Sequence, residues 1–325
     1  MKTVTWLCLG LAALLLGFPS GSEAQQARRA ARVGILLFST PEGDANLAAF
    51  RRGLAELGYV EGRNITLLYR YADGKPERLP ALAAELAALA PDLIFAMGGD
   101  VAPFASTATS TIPIVVAVSN DPVQAGLVAS LARPGGNITG VTFVSSELAA
   151  KRLQLLKEAM PGVSRVAVIW NPDHVDPEYR ETQAAGRVLG VRVQSLEVRR
   201  AGDFEDAFRA AAAEGAEALI VVSSRLVTFN RRRILEFAAR QRLPVISGSG
   251  PWTEEGALMS YGPDLNAIVQ RAATHVDRVL KGARAAEIPI EQPTTHELVI
   301  NLRTARTLGL SIGPSLRAQA TRIID

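Results

Sequence analysis

Cysteine and histidine are scarce in this 325-residue chain, and their scarcity argues against two common kinds of site. Cys8 is the single cysteine and lies in an apolar N-terminal run, so the sequence predicts neither a disulfide framework nor a thiolate metal site. The three histidines, His174, His275 and His296, do not have the spacing of a metal motif. We therefore expect no metal and no cofactor.

Catalytic motifs are also missing. The sequence contains no GxxxxGK[ST] phosphate loop, no GxGxxG turn after the first predicted strand, no HExxH pair and no GxSxG elbow. Net charge is +3, from 35 basic and 32 acidic residues, and such a mixed surface does not favour nucleic-acid binding. These absences favour a binding protein without catalytic residues, although an enzyme can build its site without a motif.

The N-terminus has the pattern of a secretory signal peptide. Lys2 precedes an apolar run over residues 4–18, and Ser22-Glu23-Ala24 is a small-x-small cleavage site. The run is shorter than a membrane span, which disfavours the alternative of a retained anchor. No later segment has an apolar run of membrane length. We expect residues 1–24 to be removed and the mature protein to be periplasmic.

An internal repeat organises the rest of the chain. Strand-like apolar runs alternate with amphipathic helices over residues 32–118, and the same order returns over residues 165–250. Arg32 corresponds to Arg165 at a shift of 133, Gly58 to Gly190 at 132, and Pro113 to Pro244 at 131. Continuous apolar strands alternating with helices predict parallel sheets covered on both faces. The fold class is therefore α/β, with two Rossmann-like units.

The stretch at residues 119–143 joins the two units. Asp121 stands before Pro122, which predicts an N-cap and a short helix that starts at the proline. Residues 133–137 break the chain, and residues 138–143 resume as a strand. We interpret this stretch as the first passage between the units.

Small and polar residues follow the predicted strands of both units. Ligands of open parallel sheets bind beyond the carboxyl ends of the strands, where hydroxyls and glycine amides suit a carboxylate. Asp121 and Asp173 could hold an ammonium group, so the set predicts an amino acid or close analogue, while N-capping alone explains any single residue equally well. The candidate ligand-binding residues are Ser39, Thr40, Gly98, Gly99, Ser119, Asn120, Asp121, Asn171, Asp173, Ser223, Ser224, Ser247, Gly248 and Ser249, with Trp252 as a pocket wall and Tyr261 at a strand end.

Two of the histidines have simple structural interpretations. His174 follows the end of a predicted strand, so it could touch a ligand, but solvation in a loop is the simpler explanation. His275 lies in the middle of a predicted helix and is interpreted as structural.

Several motifs together resemble one protein family. They are RGLAELGYVEGRNI, STIPIV, NDPVQAGLVASLARPGGNITGVT, KRLQLLKEAMPGVSRVAVIWNP and MSYGPDL, followed by ELVINLRTARTLGL. Over residues 32–324 the chain resembles the ABC-transporter substrate-binding proteins that include the tryptophan-binding type. The resemblance implies a type I periplasmic-binding fold with three crossovers between two lobes. It places one lobe at residues 25–142 plus 262–291 and the other at residues 143–261 plus 292–325.

The resemblance also implies a function. We expect an exported, monomeric solute-binding component that closes around a small-molecule ligand, delivers it to an ABC permease in the inner membrane, and is not an enzyme. Asn120 before Asp121-Pro122, and Asp264 after the YGP motif, depart from the family pattern, so tryptophan is not carried over as the ligand. A ligand-sensing subunit of a membrane receptor would use the same cleft, and a periplasmic enzyme would be revealed by turnover of its ligand.

Overall fold

The computed structural model describes residues 29–41, 44–143 and 148–325, and the predicted signal peptide lies outside them. The described residues form two sheets whose strands are separated in sequence by helices. Apolar side chains on both faces of each sheet are buried against helices. The prediction of two α/β units is confirmed.

The first sheet is parallel throughout, in the order β2-β1-β3-β4-β5. Strands β3 and β4 lie inside the sheet and are buried along their whole length, as their unbroken apolar sequences require. We call this sheet and its helices the first lobe. Its elements are β1 (Ala31–Leu37), β2 (Ile65–Tyr71), β3 (Leu93–Met97), β4 (Ile114–Val118), β5 (Ile138–Thr142), α1 (Ala45–Glu56), α2 (Leu79–Ala88), α3 (Ala102–Ala108) and α10 (Leu265–Leu280).

The second sheet has the order β12-β11-β10-β9-β8-β6-β7. It is parallel except for the pair β10 and β11. We call this sheet and its helices the second lobe. Its elements are β6 (Arg165–Trp170), β7 (Arg192–Glu197), β8 (Ala218–Val221), β9 (Val245–Ser247), β10 (Met259–Gly262), β11 (Glu297–Asn301), β12 (Arg322–Ile324), α4 (Ala149–Ala159), α5 (Glu178–Leu189), α6 (Phe204–Ala213), α7 (Arg225–Phe229), α8 (Arg231–Gln241), α9 (Gly250–Glu254), α11 (Leu302–Leu308) and α12 (Pro314–Gln319).

Helix α10 follows β10 of the second sheet in the chain but packs against the first sheet. A Cβ atom at Gly53 of α1 would lie 2.5 Å from the Gln270 carbonyl oxygen, so the two helices touch through backbone at this point. The Tyr59 hydroxyl donates to Asp277 Oδ1 at 3.0 Å. Strand β11 then returns to the second sheet and pairs with β10. The first lobe is therefore completed by a segment from late in the chain.

The prediction of a short helix after Pro122 is wrong. Residues 122–126 form turns instead, in which Asp121 Oδ1 accepts the backbone N–H groups of Val123 at 2.8 Å and Gln124 at 3.3 Å. Gly126 adopts a φ of 69°, which turns the backbone out of the helical path. Asp121 caps backbone N–H groups as predicted, but these groups belong to a turn and not to a helix.

Gly140 of β5 marks a close approach of backbone to backbone. Its φ is 143°, and a Cβ atom there would lie 2.0 Å from the Val116 carbonyl oxygen of the neighbouring strand. On its other side, the Gly140 carbonyl accepts the N–H of Glu291 at 3.0 Å, so a second segment is fixed to this strand. Only glycine fits this position without moving the strand pair.

We predict that Gly140→Ala lowers the free energy of unfolding by about 2 kcal/mol or more, because it adds both backbone strain and a clash. Gly136→Ala is the matched control, since a Cβ atom there meets nothing within 4 Å. Urea unfolding followed by circular dichroism measures both variants. Equal stabilities of the two variants would contradict the backbone contact at Gly140.

Candidate functional site

The lobes face each other across a cleft that contains a cavity of about 480 Å³. Loops after the strands and the first turns of helices supply its walls, as the carboxyl edges of parallel sheets do. The first lobe contributes Phe38, Ser39, Asp44, Asn46 and Leu265; the second lobe contributes Arg225, Thr228, Phe229, Arg231, Arg232, Ser249, Pro251 and Glu255.

A pair of opposite charges faces this cavity from the two lobes. Arg225 Nη1 lies 3.7 Å from Asp44 Oδ2, and the two side chains are only 13% and 5% exposed. Ser39 Oγ donates to the same Asp44 oxygen at 3.0 Å. The other oxygen, Oδ1, caps α1 by accepting the N–H of Asn46 at 3.0 Å. Asp44 is therefore fixed by its own lobe, while one oxygen remains directed at the cleft.

Arg231 and Glu255 also line the cavity, but they are bound to each other. The Arg231 guanidinium makes a two-pronged pair with the Glu255 carboxylate, with Nε at 2.8 Å from Oε2. Two parallel hydrogen bonds of this kind satisfy the guanidinium and the carboxylate together. Arg232 of the lining is 90% exposed and pairs with Glu236. The buried charges that face the cavity from the two lobes are therefore those of Arg225 and Asp44.

Two phenylalanine rings close the rim of the cavity. Phe38 of the first lobe meets Phe229 of the second lobe edge to face, with ring centroids 5.8 Å apart. Phe229 also lies directly on Gly74 of the first lobe, since a Cβ atom there would be 2.4 Å from its Cε1 atom. The ring remains 44% exposed, which places it at the mouth of the cleft.

Asp100, in the loop after β3, contacts the N-terminus of α7 across the cleft. Asp100 Oδ2 accepts the backbone N–H groups of Arg225 at 2.9 Å and Leu226 at 3.3 Å. Ser224 Oγ accepts the Val227 N–H at 3.2 Å and so caps the same helix from within its own lobe. A carboxylate at this end of a helix satisfies free donors, so the contact stabilises the approach of the lobes.

The two glycines before Asp100 permit this approach. A Cβ atom at Gly98 would lie 2.4 Å from Arg225 Cγ, and one at Gly99 would lie 2.4 Å from His174 Cε1. His174 Nε2 is 3.0 Å from Ser119 Oγ, which also donates to the Ser223 carbonyl at 3.3 Å. These residues form an interlobe seam, which we define as Gly98, Gly99, Ser119 and His174.

A buried ionic cluster lies behind the seam in the second lobe. The fully buried Arg152 and Glu178 form an ion pair, and Arg152 Nε donates to the Tyr261 carbonyl at 2.8 Å. Burial, and next the Glu178 carboxylate, raise the pKa of Asp176 to about 8. Asp176 Oδ1 accepts the Glu178 N–H at 2.8 Å. The cluster ties the loop after β6 to the end of β10.

The structure brings one group of the predicted residues to the cleft. Ser39 and Ser249 line the main cavity, and Ser119, Ser223 and Ser224 line a recess beside it that also includes Asn46 and Arg225. Asn171 and Asp173 instead line a separate cavity of about 210 Å³ that shares Phe38 with the first. Asp173 pairs there with Arg199. Gly98, Gly99 and the buried Asn120 lie at or beside the seam.

The other predicted residues have different surroundings. Thr40 lies in the loop after β1, and Ser247 Oγ donates to the Ser249 carbonyl at 3.1 Å. Gly248 packs against the Arg152 guanidinium. Trp252 is 2% exposed and belongs to the core, and Tyr261 acts through its carbonyl.

Sequence reasoning missed the residues that start helices. Asp44 and Asn46 begin α1, Arg225 and Thr228 belong to α7, and Leu265 begins α10, so none follows a strand directly. Arg225 comes immediately after Ser223 and Ser224, which was the signal available to find it. Extending the search from the strand tips to the next helical turn would have included it.

Two further properties concern the part of the chain that the structure describes. Within residues 29–41, 44–143 and 148–325, no helix is long and apolar enough to cross a membrane. Within the same residues, no group of three or more histidine, cysteine or carboxylate side chains could hold a metal ion.

Comparisons with known proteins agree with the fold. The chain is 26% identical to the tyrosine-binding protein of Clostridioides difficile (strain R20291), over 84% of this chain and 79% of the relative. It resembles the structure of an ABC domain from Streptococcus pneumonia in complex with L-Trp, with 24% identity, a TM-score of 0.84, and 91% and 100% of the two chains covered. A conserved domain protein from Vibrio cholerae gives 27% identity and a TM-score of 0.83 at the same coverage.

The family-level match covers nearly the whole chain. The profile described as ABC transporter substrate binding protein matches residues 32–324. This span includes both sheets, the cavity and the seam. Fold, cleft and sequence profile lead to the same assignment: the chain belongs to the family of ABC transporter substrate-binding proteins.

Proposed function

We propose that the chain is the exported solute-binding component of an ABC importer and that it binds an amino acid in the 480 Å³ cavity. The observation that carries this proposal is the facing pair of Arg225 and Asp44, one charge of each sign on opposite lobes. As a member of this family the protein binds a solute and is not an enzyme.

The two charges match the two ends of an amino acid. The Arg225 guanidinium suits a carboxylate, because its planar donors fit two oxygens at once. Asp44 Oδ2 suits an ammonium group, since its partner oxygen is already used to cap α1. A zwitterion between them would replace one ion pair by two and keep both buried charges neutralised. Asn46, Thr228 and Ser249 offer further hydrogen bonds around the same cavity.

This assignment differs from the expectation that Asp121 or Asp173 binds the ammonium group. Asp121 accepts two backbone N–H groups of its own turn. Asp173 pairs with Arg199, and both side chains are more than half exposed. Neither carboxylate lines the main cavity. We therefore propose Asp44 for this role.

The walls of the cavity favour an aromatic side chain on the ligand. Phe38, Phe229, Leu265 and Pro251 supply apolar surface next to the charged pair. Rings pack well against such walls in edge-to-face or offset arrangements. The relative named for tyrosine and the neighbour crystallised with L-Trp support this choice. L-Tyrosine and L-tryptophan are therefore the first ligands to test.

Closure of two lobes would trap the ligand. We propose that residues 25–142 plus 262–291 form one lobe and residues 143–261 plus 292–325 the other, joined by three crossovers. Domain closure of this kind is a population shift that ligand contacts with both lobes favour. The closed pair would then present its ligand to an ABC permease, from a periplasmic location reached through the predicted signal peptide at residues 1–24.

We predict that Asp44→Asn weakens binding of L-tyrosine or L-tryptophan about tenfold or more, because asparagine keeps the cap but loses the charge. Asp264→Asn is the matched control: Asp264 caps α10 through two backbone N–H groups as Asp44 caps α1, but does not line the main cavity. Titration calorimetry compares the two variants.

The same titration tests the ligand class. Tyramine lacks the carboxylate, and 3-(4-hydroxyphenyl)propanoate lacks the ammonium group, so both should bind far more weakly than L-tyrosine. Equal losses in Asp44→Asn and Asp264→Asn would refute the role of Asp44. If no amino acid in a full panel binds, the proposed ligand class is wrong.

We predict that Asp100→Asn opens the lobes in the absence of ligand. The variant loses a charge-assisted contact with the N-terminus of α7, worth roughly 1–2 kcal/mol. Small-angle scattering should show a larger radius of gyration. Asp92→Asn is the control, because Asp92 accepts the Arg32 N–H at 2.6 Å within the first lobe. A radius that changes equally in both variants, or in neither, would count against the cross-lobe cap.

We predict that the exported protein begins at Gln25 and carries no lipid. The cleavage pattern at Ser22-Glu23-Ala24 motivates this expectation, and Cys8 would leave with the removed segment. N-terminal sequencing and intact mass of the periplasmic protein measure it. A retained Met1 or an acylated Cys8 would show that the segment is an anchor.

A further inference from the structure

His174 is the buried titratable group that the proposed ligand contacts do not use. It is 2% exposed and stands in the loop between β6 and α5 of the second lobe. Its Nε2 atom meets Ser119 Oγ of the first lobe at 3.0 Å. We predicted from the sequence that His174 is solvated in a loop. This prediction is wrong, because the ring is enclosed at the seam.

One side of the His174 ring is enclosed by the opposite lobe. Ser119 follows β4 and Gly99 follows β3. A Cβ atom on Gly99 would lie 2.4 Å from His174 Cε1. Both neighbours belong to the first lobe. Separation of the lobes would therefore remove these neighbours and expose this side of the ring to water.

The ring is suited to be neutral when the lobes are together. Burial lowers the pKa of His174, Asp100 opposes this shift, and Arg225 reinforces it. His174 Nδ1 has no hydrogen-bond partner among the described residues. A protonated ring would place a charged N–H donor at that unpartnered position, which is costly in a buried site.

The carboxyl group nearest to the ring does not neutralise such a charge. Asp176 Oδ2 is 3.9 Å from His174 Nε2. Burial, and next the Glu178 carboxylate, raise the pKa of Asp176, which favours its neutral, protonated form. Arg152 and Glu178 behind it form their own buried pair, and Asp121 contributes only a minor repulsion to Asp176. Among the groups that face His174, Asp100 favours an added proton, but burial together with Arg225 outweighs it.

We propose that His174 is a positioning residue for lobe closure: its neutral ring joins the lobes through Ser119, and protonation of the ring opens them. The proposal goes beyond the ligand contacts and rests on the proposed closure. Its consequence is that affinity for the ligand falls as the surroundings of the protein become acidic.

The direction in which ligand affinity changes with pH follows from proton linkage. In the open form we expect His174 to titrate near the ordinary histidine pKa of about 6.5, and in the closed form at a lower pH. Closure is then fully favoured at pH values above the pKa of His174 in the open form, and it is lost as the pH falls below that pKa. Between pH 7.5 and 5.5 the loss is about tenfold in affinity for one such group.

Asp176 does not produce the same effect. Burial and the Glu178 carboxylate raise its pKa, whereas the Glu178 N–H and Arg152 lower it, and both of these residues belong to the second lobe. Because these partners move with Asp176, its protonation changes little between the open and closed forms. We expect Asp176→Asn to keep the acid dependence.

The test compares two histidine variants by calorimetry with L-tyrosine at pH 7.5 and 5.5. The parent protein should lose about tenfold in affinity at the lower pH. His174→Gln can still hydrogen-bond Ser119 but does not titrate, so its affinity should be unchanged by pH. His275→Gln is the matched control: His275 is also buried with a lowered pKa, but it contacts Pro289 within its own lobe. It should keep the full acid dependence.

A second measurement reads closure without a ligand. Val60→Cys and Val188→Cys place spin labels on exposed positions of the two lobes, 45% and 87% exposed, in a chain whose only natural cysteine is Cys8. Acidification to pH 5.5 should lengthen the distance in the parent and leave it unchanged with His174→Gln.

The outcomes separate this inference from the proposed function. If His174→Gln retains the acid dependence, or His275→Gln loses it, the role of His174 is wrong. If L-tyrosine binds equally at both pH values and the labelled distance stays constant, the inference fails and the proposed function stands. If no amino acid binds but the distance still lengthens through His174, the ligand assignment fails and the inference stands.

Discussion

The cleft depends on how closely the tip of β3 can approach the second lobe. Gly98 and Gly99 have no side chains, so Arg225 and His174 can reach the backbone of the first lobe. Any larger residue there would separate the lobes before Asp100 reached α7 or Arg225 reached Asp44. The charged pair on which the proposed amino-acid site rests therefore depends on the absence of side chains at these two glycines. The glycines allow the two lobes to approach closely, and the charges of Arg225 and Asp44 interact at the short distance that results.

The sequence was sufficient to predict the sheets and several of the residues that line the cleft. Runs such as those of β3 and β4 are apolar without interruption, and a strand buried on both faces produces that pattern. The hydroxyls at Ser39 and Ser249 were found for the same reason, since they directly follow strands that the pattern identifies. Local sequence patterns predict local structure well, and the positions of Ser39 and Ser249 depend mainly on the strands that precede them.

The residues that were missed depend on the opposite lobe. His174 resembles a loop histidine in sequence, but it is buried where Ser119 and Gly99 of the opposite lobe meet it. Arg225 gains its role because Asp44, 181 positions earlier, faces it across the cleft. The turn after Pro122 failed as a helix because Gly126 takes a left-handed conformation. Such outcomes follow from tertiary packing, which spacing along one chain does not encode.

Three of the contacts between the lobes are made by protein alone: Asp100 with α7, Phe229 with Gly74, and Asp44 with Arg225. They supply part of the free energy of closure before any solute contributes. A solute then meets a smaller conformational penalty, so its apparent affinity rises. In the proposed mechanism, the same contacts would populate a closed form without ligand, and this form would compete with the loaded form for the permease. The strength of the Phe229 contact would thus balance the capture of a scarce solute against docking of the empty closed form.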